Sequence, residues 1–292
     1  MEKHNLRQTI IIFGANGMIG HTLYSQLYLC KNLEIYGIVK NPDHINKFPL
    51  PLRSKLISGV DISHLSSVAT IIDQIKPSII INAIGVVKQL PGAKDLPLSF
   101  AINSLWPHQL VGLAKQVGAT VVQLSSDCVF SGQQGAYLET DTPDPQDIYG
   151  QTKWLGELLE PNTLTIRTST IGHELASSHG LLEWFLAQNG PISGYTNAIY
   201  SGVTTLELAN VFEKHIIPKI HQLSGILHIS SKPITKYDLL NLLATKYGKS
   251  VTINKTNSPV VDRSLDCHKF TTITGYKTPA WDQMIKEMSA SI

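Results

Sequence analysis

Tyr149 and Lys153 stand four residues apart in the stretch DIYGQTK, where a helical pattern begins. On a helix, residues i and i+4 are neighbours on one face. A phenol beside an ammonium is a proton donor with a cation to tune it. Free tyrosine titrates near pH ~10, and an adjacent positive charge favours its phenolate. The same spacing recurs at Tyr36 and Lys40, but on a strand pattern. Four residues of strand span roughly 13 Å, so that second pair cannot cooperate. Ser125 and Ser126 end another strand pattern in VVQLSSDCVFSG, where a hydroxyl faces the same crevice. Ser126 can hold a ketone oxygen there while Tyr149 protonates it. Gly150 and Gly156 each cost the Tyr149 helix up to ~1 kcal/mol relative to alanine. Glycine kept at that cost points to close approach of another backbone or a ligand. Trp154, Leu155, Leu158 and Leu159 are expected to form much of the helix's buried side.

A second chemistry-bearing stretch is TIIIFGANGMIGHTLYSQL. Gly14, Gly17 and Gly20 fall where a buried strand turns into a helix, with a G-x-x-G-x-x-G spacing. Such a turn lets a pyrophosphate approach the backbone and sit at the positive end of the helix. Gly14, Asn16 and Gly17, with Met18 and Ile19 opening the helix, are the candidate phosphate contacts. A turn of this kind can also serve packing alone. The second strand ends GIVKNPDH, with Lys40 and no carboxylate before Asp43. A basic residue at that point suits the 2′-phosphate of NADPH, with NADH as the alternative. Asp61, followed by Ile62, can reach an adenine amino group or simply cap a helix. Asn82, Ala83 and Gly85 end a fourth strand at the edge where ligands bind in such sheets.

The elements that must position these groups alternate. TIIIF (9–13), EIYGIV (34–39), KLISG (55–59), SIIIN (78–82), ATVVQLS (119–125) and TLTIR (163–167) read as strands. Four of them are nearly continuous apolar runs, as expected when helices cover both sheet faces. Between them, 64–76 carries an apolar stripe of Leu65, Val68, Ile72 and Ile75, with Ser63 placed to cap it and Pro77 after it. The segment 99–117 behaves alike. The expected fold is α/β: a Rossmann-type, doubly wound parallel sheet with a smaller C-terminal α/β lobe. Residues 1–167 would form the dinucleotide-binding domain. Residues 168–292 would form the lobe, with the chain free to cross back. Helices are expected near 205–217, 235–247 and 279–289.

Composition narrows the class. The 292-residue chain has 42% hydrophobic and 16% charged residues, which suits a folded globule with a sizeable core. Its net charge of +2, with no basic block, gives no support to nucleic-acid binding. Cys30, Cys128 and Cys267 are dispersed and match neither a disulfide framework nor a zinc spacing. No metal site is expected. The apolar run before the first glycine is shorter than a signal peptide needs, and no run approaches a membrane span. The expectation is a soluble, cytoplasmic protein without a membrane partner.

With these residues assembled, the chain resembles the short-chain dehydrogenase/reductase superfamily, in its extended, nucleotide-sugar-modifying branch. More narrowly it resembles the dTDP-4-dehydrorhamnose reductase (RmlD-like) family over nearly its whole length. That family reads S-T-D-Y-V-F-x-G after the fifth strand, and this chain reads SSDCVFSG. Ser126 takes the place of the threonine and Cys128 that of the tyrosine. The acidic, proline-punctuated approach to Y-G-x-[ST]-K appears as YLETDTPDPQDIYGQTK, and R-T-S appears as IRTST. DRSLDCHKF, with Arg263 and Ser264, matches the R-P-x-x-S-x-L pattern loosely, and GYKTPAWDQMI matches the family's tail.

The resemblance implies NADPH-dependent reduction of a nucleoside diphosphate 4-keto-6-deoxy sugar, in the supply of deoxysugars for surface polysaccharide. Tyr149 would donate a proton, Lys153 would tune it and bind the nicotinamide ribose, and Ser126 would orient the carbonyl. Ser125 and Asn103 would assist at the cofactor, Asn103 by holding the lysine and a proton-relay water. Asp127 and Arg263 would contact substrate, the arginine at the diphosphate. Trp184, Tyr195 and Tyr200 are candidates for the sugar site or for core packing. The related 4,6-dehydratases carry Thr-Asp-Glu where this chain has Ser126, Asp127 and Cys128, which counts against dehydration. A nucleotide-sugar epimerase keeps the same triad. A non-catalytic NADP-binding regulatory subunit, as found beside methionine adenosyltransferase, is a third possibility. A homodimer is also possible.

Overall fold

The computed structural model describes residues 7–88, 95–175 and 178–291. In the first half, β1 (Gln8–Phe13), α1 (Met18–Tyr28), β2 (Leu33–Ile38), β3 (Leu56–Ile57), α2 (Leu65–Ile75) and β4 (Ile79–Asn82) follow in order. Then come α3 (Leu96–Phe100), α4 (Trp106–Lys115), β5 (Thr120–Leu124), α5 (Ile148–Leu155) and β6 (Thr163–Arg167). The second half contributes β7 (Thr170–Ile171), α6 (Leu181–Leu186), β8 (Ile192–Tyr195), β9 (Ala198–Tyr200), β10 (Val203–Thr204) and α7 (Thr205–Val211). It continues with β11 (Gly225–His228), β12 (Ile234–Thr235), α8 (Lys236–Tyr247), β13 (Ile253–Thr256), β14 (Val261–Asp262), α9 (His268–Thr274) and α10 (Trp281–Ala290).

A seven-stranded parallel sheet organises the molecule, in the order β11-β6-β5-β4-β1-β2-β3. This is the doubly wound arrangement expected from the sequence. Its apolar runs divide by the pleat. Ile10, Ile12, Ile79, Ile81, Val122 and Leu164 join one core layer. Ile11, Phe13, Ile80 and Val121 join the other, against Val68, Ile72, Trp106 and Leu110 of α2 and α4. Alternate side chains of one strand therefore feed two cores. The seventh strand, Gly225–His228, comes from beyond residue 167, so the chain crosses back into the sheet. The remaining short strands pair among themselves as β10-β7, β12-β9-β14 and β13-β8.

Several local expectations need correction. Ser63 does not cap α2; His64 holds that position, while Ser63 donates both its amide and its hydroxyl to Asp61. The helix expected over 99–117 starts earlier, because Asp95 accepts from the Leu98 amide and Pro97 suits the first turn. It is interrupted by a π-helical stretch, Ala101–Leu105. Helices α6 and α9 lay outside the sequence reading; each is less than two turns long, too short to print an apolar period. The largest correction concerns α5. It ends at Leu155; Trp154, Leu155 and Leu159 are exposed, and of the four residues named only Leu158 is buried. The face it turns inward carries Gly150, Thr152 and Lys153.

Gly150 and Gly156 explain that inward face. A Cβ on Gly156 would lie 1.9 Å from the Asn103 carbonyl oxygen, and one on Gly150 would lie 2.2 Å from that of Cys128. Both glycines are there because another backbone passes too close for a methyl group. Gly112, inside α4, meets nothing within 4 Å. Gly156→Ala should therefore lower stability by about 1–3 kcal/mol through overpacking, whereas Gly112→Ala should raise it by about 0.5–1 kcal/mol. Denaturant titration of the two variants checks both signs.

Candidate active site

The carboxyl ends of β1, β2, β4 and β5 open onto one cleft. Its dinucleotide side is a cavity of about 660 Å³, walled by Gly14, Asn16, Gly17, Lys40, Asp61, Ile62, Ala83 and Gly85. Gly14 adopts φ +78°, and a Cβ there would press on the Ala83 and Ile84 backbone. A Cβ on Gly20 would strike the Gly14 carbonyl at 2.0 Å, so the turn packs directly on α1. Gly17 is the N-cap of α1 and brings no side-chain cap, leaving the first-turn amides at Met18 and Ile19 for an anion. Met18 and Ile19 open that first turn and are not part of the cavity wall. The cradle fits a pyrophosphate: open amides, a positive helix end and no side chain in the way.

At the far end of this cavity Lys40 and Asp61 form an ion pair of 2.7 Å. Lys40 holds the Asp61 carboxyl well below the usual carboxylate range, with the Ser63 amide assisting. Asp61 thus shapes its own turn while lining the cavity. Lys40 is mostly exposed, and its charge stands where a 2′-phosphate would arrive.

Asn82 and Ser125, expected at the cofactor, turn their side chains to partners within the protein. Asn82 is wholly buried: it donates to Gln123 Oε1 at 2.7 Å and accepts from Trp106 Nε1 at 3.1 Å. It ties β4 to β5 and to the Trp106 ring beneath the cavity. Ser125 gives its hydroxyl to Glu157 Oε1 at 2.7 Å. Glu157 in turn takes two 2.7 Å hydrogen bonds from Arg167. This buried ion pair clamps the exit of α5 to the end of β6.

The three expected catalytic residues converge. Ser126 caps the turn Asp127–Val129 by accepting from the Cys128 amide, and it donates to Asp127 Oδ1 at 3.0 Å. Tyr149 lies next to it, in the first turn of α5. Burial pushes the Tyr149 phenol well above its ordinary value, with the nearby Cys128 adding to the rise and the Ser126 hydroxyl opposing it. Lys153 is buried and hydrogen-bonds to the Leu124 carbonyl. Burial pushes its pKa down to about 8, with Glu157 pulling the other way. The expected lowering of Tyr149 by Lys153 is therefore not the dominant effect here; desolvation of both groups is.

Asn103 is also placed differently from the role expected of it. Its side chain accepts from the Val86 amide at 2.9 Å and donates to the Val86 carbonyl and to Thr152 Oγ1, both at 3.1 Å. It fixes the strand-end loop and α5 together and makes no contact with the Lys153 ammonium.

Three groups near the site escaped the sequence reading. Asp147 is the N-cap of α5, accepting from the Gly150 amide at 2.8 Å. Its other oxygen meets Lys88 Nζ at 2.6 Å. Lys88 in turn lies 5.6 Å from the Tyr149 ring centroid. The signal for Asp147 was present, an aspartate directly before a helix; Lys88 follows a strand end by six residues and carries none. Lys236, from α8, is the third.

Arg263 comes from the far end of the chain. Its Nε donates to the Phe130 carbonyl at 2.8 Å, and Asp262 N donates to the Gly132 carbonyl at 2.7 Å. Ser264 accepts from the Ala136 amide at 2.8 Å. The segment DRS is thus stitched to the loop that follows Ser126. The Arg263 charge is felt at Lys88, Cys128 and Asp147. Trp184 and Tyr195 are partly exposed, whereas Tyr200 is buried and its titration feels Asp127. Among the described residues no group of three or more His, Cys, Asp or Glu could hold a metal ion, and no helix is long and apolar enough to cross a membrane.

A glycine cradle, the Ser126–Tyr149–Lys153 cluster and the Arg263 segment are thus gathered at the carboxyl end of the sheet. The family model for the RmlD substrate binding domain matches residues 8–292. The chain belongs to that family. It is 27% identical over 240 residues to the dTDP-4-dehydrorhamnose reductase of Aggregatibacter actinomycetemcomitans, covering 78% of this chain and 76% of that one. It is 27% identical over 261 residues to the Escherichia coli protein of the same name, covering 85% and 82%. Among solved structures it resembles the Bacillus anthracis dTDP-4-dehydrorhamnose reductase in complex with NADP. The TM-score is 0.79 and the identity 22%, over 98% of this chain and 99% of that one.

The Lys153 environment has a sign that can be measured. Its pKa falls from an ordinary 10.5 to about 8 on folding. Between those values the unfolded chain keeps a proton that the folded chain has released, so this lysine makes stability rise with pH across that window. Removing the group in Lys153→Met should flatten the rise. Urea unfolding of both proteins from about pH 8 to pH 10 gives the comparison.

Proposed function

We propose that the protein is an NADPH-dependent reductase of a nucleotide-linked 4-keto-6-deoxy sugar. The observation that carries the reading is the convergence of Ser126, Tyr149 and Lys153 beside the dinucleotide cradle. A reduced nicotinamide bound there supplies the hydride that the carbonyl carbon receives. Ser126 exchanges its hydrogen bond to Asp127 for one to the carbonyl oxygen and fixes that oxygen against Tyr149. Burial keeps the Tyr149 phenol protonated at neutral pH, so it can give its proton as the oxygen gains charge. Lys153 keeps a positive charge in the same buried layer, below about pH 8. Lys88 and Arg263 add the charge that a diphosphate requires at the mouth.

Cys128 separates this reading from a dehydratase. A dehydratase needs a second carboxylate where Cys128 stands. Burial pushes the Cys128 thiol up to about 11, so it is neutral at working pH and a poor base. The 4-keto sugar and its dTDP link are carried over as a class from relatives named dTDP-4-dehydrorhamnose reductase. Lys40 at the cavity end supports NADPH over NADH. The exposed Trp154, Leu155 and Leu159 support a homodimer. Free Cys30, Cys128 and Cys267 suit a reducing cytoplasm.

The test is consumption of NADPH and NADH with freshly generated dTDP- and UDP-linked 4-keto-6-deoxy sugars. Turnover with NADPH should fall by about 10²–10⁴ in Tyr149→Phe, which removes the proton donor. Lys40→Ala should raise KM for NADPH and leave that for NADH little changed. No turnover across the panel, with NADPH bound tightly, would favour the regulatory-subunit reading.

A further inference from the structure

The first turn of α5, which carries Tyr149, is tied across to the segment that follows β4. Asp147 caps the helix with one carboxylate oxygen, accepting from the Gly150 amide at 2.8 Å. Its other oxygen takes the Lys88 ammonium at 2.6 Å. The same ammonium lies over the Tyr149 ring, 5.6 Å from its centroid and within cation–π range. Lys88 is set in turn by its own segment. Two residues earlier, the Val86 amide and carbonyl are both bonded to the Asn103 side chain. Asn103 returns to α5 by donating to Thr152 Oγ1 at 3.1 Å. Tyr149 therefore stands inside a closed circuit that runs from Asp147 through Lys88, Val86 and Asn103 back to its own helix.

The ion pair in this circuit is not there for stability. Lys88 and Asp147 keep 34% and 41% of their side chains exposed, and pairs so well hydrated contribute little to folding. Its effect is geometric. A phenol transfers its proton only from a narrow range of orientations. Gly150 fixes where the helix sits, against the Cys128 carbonyl, but a backbone contact does not orient a ring. Lys153 spends its hydrogen bond on the Leu124 carbonyl. The Lys88 ammonium meets the ring itself, and Asp147 holds that ammonium in place.

We propose that Lys88 is a positioning residue for the proton donor: clamped by Asp147, it holds the Tyr149 ring in the orientation for proton transfer, beyond any charge it lends to the mouth of the site. The effect on rate rests on the reductase reading; the ring contact does not. Lys88→Met removes the ammonium, and Asp147→Asn removes the clamp while keeping an oxygen for the Gly150 amide. The two substitutions change the charge of the mouth in opposite directions, so a loss common to both cannot come from that charge. Each should lower kcat with NADPH and the keto sugar by about 3–10-fold, short of the ~10²-fold that a misplacement of about 1 Å can cost. The double variant should fall no further than the lower single variant. A second readout needs no turnover. In protein labelled with ¹³C on its tyrosine rings, the Tyr149 signal is assigned by its loss in Tyr149→Phe. Asp147→Asn should move that signal in the otherwise wild-type protein and leave it in place in Lys88→Met. Unchanged kcat, with KM for the nucleotide sugar raised in Lys88→Met and lowered in Asp147→Asn, would make Lys88 a plain phosphate contact and overturns the proposal. Additive losses in the double variant, or a ring signal that Asp147→Asn moves equally in both backgrounds, also overturn it. No turnover of any keto sugar by wild type overturns the reductase reading, and the ring signal then decides the clamp alone.

Discussion

The seat of α5 is a contact between backbones, and the site depends on it. Gly150 lies against the Cys128 carbonyl and Gly156 against the Asn103 carbonyl. Those contacts are short enough to bring the Lys153 ammonium to the Leu124 carbonyl and Tyr149 beside Ser126. A helix held off by even one methyl group would leave a lysine enclosed without its acceptor, which is costly. The π-helical stretch Ala101–Leu105 belongs to the same fit. It carries the Asn103 carbonyl to Gly156, while the Asn103 side chain ties Val86 to Thr152.

Around this seat, charge is arranged in layers. Deepest is the Glu157–Arg167 pair, joined by two short hydrogen bonds from Arg167 Nε and Nη2, with Ser125 adding a third to Glu157 while Arg167 Nη1 stays buried without a partner among the described residues. Next is Lys153, alone with a backbone carbonyl and within the field of Glu157. Nearest the mouth are Lys88, paired to Asp147, and Arg263, held by the Phe130 carbonyl. Desolvation weakens inner charges and leaves outer ones strong. The consequence is a protonated phenol on the inside and cations for an anionic ligand on the outside.

Much of this was legible because it follows from local rules. Four of the six strands of the first half are nearly continuous apolar runs, as a sheet covered on both faces accommodates, and all six were found within a residue or two. The seventh strand, GILH, has no such pattern; it earns its place by pairing with β6, a long-range event. The glycines of α5 announced a close contact through their cost to the helix. Which backbones would make that contact could not be read, since Cys128 and Asn103 are distant in sequence. The buried side of α5 was misread because Trp154, Leu155 and Leu159 look like a core stripe. The helix in fact turns its lysine inward and leaves those apolar residues at the surface.

The amino-acid sequence by itself determined the fold class, the glycine cradle at the first strand, and the Ser126, Tyr149 and Lys153 set. These depend on spacing along one helix or at one strand end, where geometry is nearly fixed. Only the tertiary structure decided where the side chains spend their hydrogen bonds. Asn82 and Ser125 sit at the predicted strand ends but face inward, to Gln123 and Glu157, and Asn103, on the π-helical stretch, turns to Val86. Lys88, Lys236 and Arg263 reach the cleft from three separate elements. The physical reason is the same in each case: a polar side chain goes to the partner that its neighbours leave unsatisfied, and those neighbours are assembled only when the chain folds.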